Sequence, residues 1–148
     1  MKIVYDNIIF SGQKTGGISV VWYELVKRII LDSRFSVLFI EYPGSEKNIF
    51  RKKLDLSEKK ILFKKRLNSN IVRYFNPSIS FKEKFIFHSS YYRTSNNPNA
   101  IIITTVHDFT YEYFSRGLKR YIHTYQKNKA IKKSDFIICI SENTKKDL

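Results

Sequence analysis

Apolar residues fall in short runs separated by polar turns. The runs Lys2 to Tyr5 and Ile8 to Phe10 are rich in β-branched and aromatic residues, and they predict a first strand that ends near a glycine-rich loop. Further on, apolar residues recur at the spacing of one helix face, at Ile18, Val21, Trp22, Leu25 and Ile29. Phe35 to Ile40 is nearly unbroken, which is typical of a strand buried on both faces. The order strand, helix, strand predicts a βαβ unit and a parallel sheet.

Three later apolar runs predict further strands. Their sequences are "KFIFHSS", "AIIITTVHDF" and "DFIICIS". The polar loop "RTSNNPN" separates the first two, and a basic helix, "LKRYIHTYQKNKAIKKS", precedes the third. Ser141 is a good N-cap for a last helix, "ENTKKDL". Together these segments predict an α/β fold, with a Rossmann-like parallel sheet and flanking helices.

The middle of the chain, Ser45 to Pro77, has a weaker pattern. It contains a possible short strand, "ILF", and then "KKRLNSNIVRYF", in which Leu67, Ile71 and Phe75 recur every four residues beside basic side chains. This spacing predicts an amphipathic basic helix. The basic residues from Lys47 to Arg73, and those from Lys127 to Lys133, are compatible with solvated helix faces or with a helix on anionic lipid.

Composition narrows the class of protein. The chain has 148 residues, of which 43% are hydrophobic, and this predicts one globular unit over residues 1–148. Its 27 Lys and Arg against 13 Asp and Glu give a net charge of +14, which predicts an anionic partner such as a phosphorylated ligand, a membrane surface or nucleic acid. Cys139 is the only cysteine, so an internal disulfide is excluded and a reducing compartment is favoured. Its apolar neighbours predict that it is buried.

The hydrophobic pattern predicts neither a signal peptide nor a membrane-spanning helix. The first residues, "MKIVYDNIIF", are interrupted by Asp6 and Asn7 too early for a signal peptide, and no run approaches the roughly 18 apolar residues of a membrane span. We therefore expect a cytoplasmic protein, either free or peripheral on the cytoplasmic membrane face.

A glycine-rich loop precedes the first predicted helix, within "FSGQKTGGISVVWYEL". Gly12-x-x-x-x-Gly17-Ile18-Ser19 matches the Walker A pattern except that Ile18 replaces the lysine, so nothing reaches the β and γ phosphates. The spacing does not give the dinucleotide fingerprint either. Gly16 and Gly17 nevertheless allow a ligand to approach the backbone at the positive end of a helix, which favours a phosphate. A plain tight turn explains the two glycines equally well.

Polar residues follow two other predicted strands. His107 and Asp108 end "TTVHDF", and His88, Ser89 and Ser90 end "FIFHSS". Ligands of parallel α/β sheets bind outside the carboxyl ends of the strands, so these residues and the glycine loop are predicted to face one crevice. For each histidine the alternative is a strand-end side chain that bonds to a neighbouring carbonyl. For Ser141 it is an ordinary N-cap.

Two classes of chemistry have no support in the sequence. The three histidines and one cysteine are scattered without metal-ligand spacing, so we expect no metal and no other cofactor. A G-x-S-x-G elbow and a Cys/His pairing are also missing, so no residue is predicted to act as a covalent nucleophile.

Several segments together resemble one enzyme family. They are the first strand, the loop and helix "GGIS-WYEL", "FHSSYYR", "TVHDFTYEYF" and "KAIKKSDFIICISENTKKDL". The chain resembles the N-terminal half of family 4 glycosyltransferases of the GT-B fold, over almost its whole length. Such enzymes pair two Rossmann-like domains across a cleft. The first binds the acceptor, and the second binds most of the nucleotide-sugar donor and carries an E-x7-E motif, which this chain lacks.

The resemblance implies roles for individual residues. Gly16 and Gly17 would lie against the donor diphosphate, and His107 would be the catalytic residue beside the transferred sugar. Asp108, with His88 and Ser89, would bind the acceptor. The resemblance implies retention of the anomeric configuration by a front-face path in which the leaving phosphate itself takes the acceptor proton, so no protein nucleophile is required.

The sequence thus predicts an incomplete acceptor-side domain of a retaining glycosyltransferase for surface polysaccharide or another glycoconjugate. Its partners would be a nucleotide-sugar donor, held mainly by the missing domain, and a glycan or lipid-linked acceptor; the chain alone is expected to be inactive. The alternative is a non-enzymatic basic α/β module that binds nucleic acid or an anionic membrane surface. Specific nucleic-acid binding is less favoured, because no stacking pattern or recognition helix is found.

Overall fold

The computed structural model describes residues 1–63 and 69–148, and all structural statements below concern these residues. The strands are β1 (Lys2–Asp6), β2 (Ser36–Glu41), β3 (Ile61–Phe63), β4 (Phe85–Ser89), β5 (Ala100–Val106) and β6 (Phe136–Cys139). The helices are α1 (Ile8–Gly12), α2 (Gly17–Ile29), α3 (Ser69–Val72), α4 (Thr110–Phe114), α5 (Gly117–Lys133) and α6 (Glu142–Asp147). Short 3₁₀ turns lie at Ser45–Lys47, Arg51–Lys53 and Glu58–Lys60.

The strands form one parallel sheet in the order β3-β2-β1-β4-β5-β6. Strands β2 and β3 lie on one side of β1, and strands β4, β5 and β6 lie on its other side. This change of direction between β1 and β4 is the topological switch point of a Rossmann-like fold. The α/β prediction is therefore confirmed, and so is the short strand "ILF", which pairs with β2.

The core lies against the central strands. In this core, Trp22 from α2 packs edge-on against Tyr5 of β1, with the ring centroids 5.4 Å apart. Phe39 of β2 is fully buried on the same face, with its ring centroid 6.1 Å from that of Tyr5. Burying one side chain of this size contributes roughly 1.5–3 kcal/mol, so these few rings anchor α2 on the sheet.

One strand prediction is wrong. Ile8 to Phe10 do not extend the first strand but form the single-turn helix α1. The β1 ladder ends at Asp6, where the Asn7 amide donates to the Ile40 carbonyl, and the Ile9 amide then donates to the Ser90 hydroxyl at 3.0 Å. A helical turn buries all three apolar side chains just as a strand would, and the short run therefore gave no sign of the difference.

Two further expectations differ from the structure. Cys139 is half-buried, because β6 lies at the sheet edge and its apolar neighbours are largely exposed. Among the described residues of the predicted basic helix "KKRLNSNIVRYF", Ser69–Val72 form a helical turn in which Ile71 is half-exposed, and residues 73–75 are not helical. The rest of that prediction, residues 64–68 with Leu67, lies outside the described residues.

Candidate functional site

A cavity of about 250 Å³ opens beside the carboxyl ends of β1, β4 and β5. Its wall combines residues that follow these strands with residues from the start of α2, the end of α3 and α5. They are Ile8, Ile9, Gly12, Gln13, Ile18, Arg73, Tyr91, Tyr92, His107, Asp108, Tyr111 and His123. Ligands of such sheets bind at this edge, next to the switch point, so the cavity is the candidate site.

The glycine loop reaches the cavity through its neighbours. Gly12, Gln13 and Ile18 line the wall, whereas Gly16 and Gly17 do not. A Cβ atom at Gly16 would lie 2.7 Å from Gln13 Nε2, while a Cβ at Gly17 would have no atom within 4 Å. A side chain at Gly16 would therefore displace the flexible end of Gln13, and no side chain caps the amides at the start of α2.

Side chains hold this loop in place. Gln13 Nε2 donates to Ser19 Oγ at 2.7 Å, and Asn48 Nδ2 donates to the Gln13 carbonyl at 2.8 Å and to Ser19 Oγ at 3.0 Å. Because Ser19 and Asn48 are both fully buried, the loop has a fixed position relative to the cavity. Asn48 lies in the middle segment and carried no signal in the sequence.

His107 and Asp108 follow β5 directly and both line the cavity. The His107 carbonyl accepts a hydrogen bond from Thr144 Oγ1 at 3.2 Å, which ties the site to α6. Burial lowers the pKa of the His107 imidazole, and the nearby Lys127 charge lowers it further, although Asp108 acts in the opposite direction. The imidazole is therefore neutral at pH 7 and presents one hydrogen-bond donor and one acceptor.

His88 and Ser89 do not line the cavity. His88 is buried under Trp22, with ring centroids 4.9 Å apart, and its Nε2 lies 2.8 Å from Thr105 Oγ1. Burial lowers its pKa to about 4, so this imidazole is neutral too. Ser89 Oγ donates to Asp6 Oδ2 at 2.8 Å. These contacts support the fold, and an acceptor-binding role for either residue stays a prediction.

Sequence reasoning missed a cation in the wall. The Arg73 guanidinium lies 4.2 Å from the centroid of the Tyr91 ring, and it pairs with no carboxylate in the described part of the chain. Beside it, the His123 ring stacks on the Tyr111 ring, with the centroids 3.9 Å apart. The buried Nδ1 atom of His123 has no hydrogen-bond partner among the described residues. Burial lowers the pKa of His123 to about 4. Nothing in the local sequence distinguishes these residues from others on basic helices.

Lys127 holds the segment after β5 in place through hydrogen bonds. It is fully buried, and its Nζ donates to the Asp108 carbonyl at 2.5 Å and to Glu112 Oε2 at 2.8 Å. The same ammonium lies 4.4 Å from the Phe109 ring centroid. The sequence-based interpretations of the Lys127 to Lys133 cluster, a solvated or a lipid-facing helix surface, are therefore wrong for Lys127 itself. Burying a lysine is costly without partners, so these contacts fix the "HDF" segment firmly.

A second buried ion pair lies at the switch point. Arg93 Nη1 lies 3.0 Å from Asp6 Oδ2 and donates to the Tyr42 hydroxyl at 2.8 Å. Burial raises the pKa of the Asp6 carboxyl, whereas Arg93 and Ser89 lower it. The predicted polar loop that begins at Arg93 is thus partly interior. Its arginine joins β1 to the segment after β4.

Within residues 1–63 and 69–148, no group of three or more His, Cys, Asp or Glu side chains is placed to hold a metal ion. Over the same residues, none of the helices has the length and apolar character needed to cross a membrane.

Comparison with known proteins gave no relative. The chain matches no protein-family model, no curated protein and no solved structure. Its sheet topology and the residues of the cavity are therefore the observations on which a function can be argued.

Proposed function

We propose that the chain is the acceptor-side domain of a retaining glycosyltransferase. The enzyme would transfer a sugar from a nucleotide-sugar donor to a glycan or lipid-linked acceptor in the synthesis of surface polysaccharide or another glycoconjugate. The observation that carries the proposal is one cavity whose wall contains His107, Asp108 and the segment that leads into α2. These are the segments on which the family resemblance rests.

The chemistry of the cavity suits this reaction. The neutral imidazole of His107 is able to donate one hydrogen bond to a sugar hydroxyl and to accept one from another. The exposed carboxylate of Asp108 is able to accept a hydrogen bond from a hydroxyl group of the acceptor substrate. The amides at the start of α2 and the Arg73 guanidinium favour an anion, as in the diphosphate of a donor. No covalent intermediate on the protein is part of the proposal.

The proposal includes a peripheral position on an anionic membrane surface. The described part of the middle segment gives little support to the lipid-facing helix predicted there. A different surface has the required character, since α4 and α5 expose Phe114, Leu118, Tyr121 and Tyr125 among many lysines. Aromatic side chains between basic residues are typical of the membrane interface.

Binding is tested by NMR on the ¹⁵N-labelled chain. We expect nucleotide sugars to shift the amide signals of Gly16, Gly17 and His107, and neutral sugars to shift that of Asp108. Asp108→Asn should weaken sugar binding by roughly tenfold, the effect of losing one charge-assisted hydrogen bond. Asp55→Asn is the matched control, because Asp55 is equally exposed and lies outside the cavity.

Transfer itself is measured on the full gene product with labelled nucleotide sugars, and His107→Ala should abolish it. Unchanged signals around the cavity with every donor and acceptor would contradict the proposal. If a sequence-dependent affinity for nucleic acid then persists at high salt, the non-enzymatic alternative is correct.

A further inference from the structure

A second cavity of about 300 Å³ adjoins the first. Its wall consists of aromatic and uncharged polar residues with one lysine. They are Tyr74, Phe75, Asn76, Tyr92, Thr94, Asn96, Gln126, Lys129 and Ala130. Tyr92 lines both cavities, and Gln126 Nε2 donates to the carbonyl of Arg73, a residue of the first cavity, at 2.6 Å. The two spaces are therefore separated by single side chains.

Two buried polar atoms at this wall lack partners. Thr94 Oγ1 and Gln126 Oε1 have no hydrogen bond within the described residues, although the two side chains are only 2% and 8% exposed. An unsatisfied buried polar atom costs about 1–3 kcal/mol, so such atoms are rare and need an explanation. Both residues line the same cavity, and either oxygen, which is itself fully buried, would reach a ligand there only after its side chain rotates.

Apart from the exposed Lys129, the rest of the wall is uncharged, and its amides are held by hydrogen bonds. Thr94 N donates to Asn76 Oδ1 at 2.9 Å, and Asn76 Nδ2 donates to Asn96 Oδ1 at 3.1 Å, so the two amides hold one another in place. Tyr74 and Phe75 stand at the rim and are 48% and 64% exposed. Exposed aromatic rings beside fixed amides offer a surface for C–H groups next to donors and acceptors for hydroxyls.

We propose that this second cavity binds a neutral sugar unit. Sugar hydroxyls both donate and accept, and they would satisfy Thr94 Oγ1 and Gln126 Oε1 while a ring face packs on Phe75 or Tyr74. The wall contains no carboxylate among the described residues, which disfavours a cationic ligand, and its one charged group, the exposed Lys129, leaves the remaining wall neutral. The adjacency of the cavities makes this unit the next residue of the acceptor chain, an assignment that rests on the proposed function; the binding of the sugar does not.

The experiment is a titration of the ¹⁵N-labelled chain with three neutral trisaccharides, namely maltotriose, cellotriose and mannotriose. We expect at least one of them to shift the Thr94 amide and the Gln126 side-chain amide. Thr94→Val removes the hydroxyl at constant volume and should weaken binding by roughly fivefold to tenfold. Phe75→Ala should weaken it comparably, and it leaves intact the bond from Arg93 Nε to the Phe75 carbonyl. Phe136→Ala is the matched control, because Phe136 is as exposed as Phe75 and lies outside both cavities.

The outcomes separate the two proposals. Shifts at Thr94 and Gln126 that Thr94→Val weakens support the second site, even if no donor or acceptor binds near His107. The inference is overturned if all three trisaccharides leave Thr94 and Gln126 unchanged. It is also overturned if Thr94→Val and Phe75→Ala both bind as well as the original chain, because the sugar then contacts neither of these side chains.

Discussion

At the scale of single residues, His88, His107 and His123 share one physical effect. Each ring is largely buried, and burial is the main reason why its pKa lies below the ordinary value. Their hydrogen-bonding behaviour nevertheless differs. His88 is bonded within the sheet, His107 lines the cavity, and the Nδ1 atom of His123 has no partner among the described residues. Spacing in the sequence places such residues at strand ends, but only the packing decides which of them meets a ligand.

A pH dependence of stability follows from His88. Its pKa falls from 6.5 to about 4 on folding, so the unfolded chain binds the proton more readily. The contribution to stability is therefore complete above a pH of about 6.5 and is lost as the pH falls towards about 4, by about 3 kcal/mol in total. Urea unfolding between pH 7.5 and pH 4.5 measures it. We expect His88→Gln to flatten the curve, and parallel curves for the two proteins would rule out this cause.

At the scale of elements, α2 and the loop before it follow from local sequence. The apolar spacing of Ile18 to Ile29 predicted the helix, and the buried side of Gly17–Ile29 contains Trp22 and Val26. The reason for the two glycines was not predictable. The Gln13 side chain, from three residues earlier, packs against Gly16 where a Cβ atom would stand. At Gly17, a Cβ atom would have no described atom within 4 Å.

The two glycines should therefore respond differently to alanine. Gly16→Ala brings a Cβ against the flexible end of Gln13 and displaces it from Ser19, so we expect the free energy of unfolding to fall by roughly 0.5–1.5 kcal/mol, the net value of one hydrogen bond. Gly17→Ala meets open space at the first position of a helix and should be neutral or slightly stabilising. Urea denaturation of both variants compares them directly. Equal losses would mean that the approach of Gln13 is not what requires a glycine.

At the scale of the whole molecule, charge and exposed aromatic residues combine. The net charge is +14, and α4 and α5 expose Phe114 and Tyr121 at 82% and 72%. We expect the protein to sediment with anionic vesicles and much less with neutral ones, and added salt to weaken the binding. Exchanging Phe114 and Tyr121 for serine should reduce binding without changing the charge, and Leu31→Ser, at an exposed apolar residue on another surface, is the matched control. Equal sedimentation with both vesicle types would contradict this membrane role.

Much of the fold was predictable because it depends on local periodicity. Unbroken apolar runs at Phe35 to Ile40 and in "AIIITTVHDF" marked β2 and β5, and alternation with helices implied a parallel sheet. The same reasoning failed at Ile8 to Phe10, where a short apolar run is compatible with either a strand or one helical turn. The hydrogen bonds of Asn7 and Ile9, made with residues distant in sequence, decided that case.

The sequence by itself therefore determined the class of fold, and the strand ends at which His107 and Asp108 stand. Only the tertiary structure decided the cavity, because its other residues come from distant segments. Arg73, Tyr91 and His123 converge on one wall, and Lys127 is buried beneath Asp108. A lysine on a basic helix has the same local pattern whether it faces water or the interior. The difference arises from the packing of α5 against the end of β5, which no local window of sequence contains.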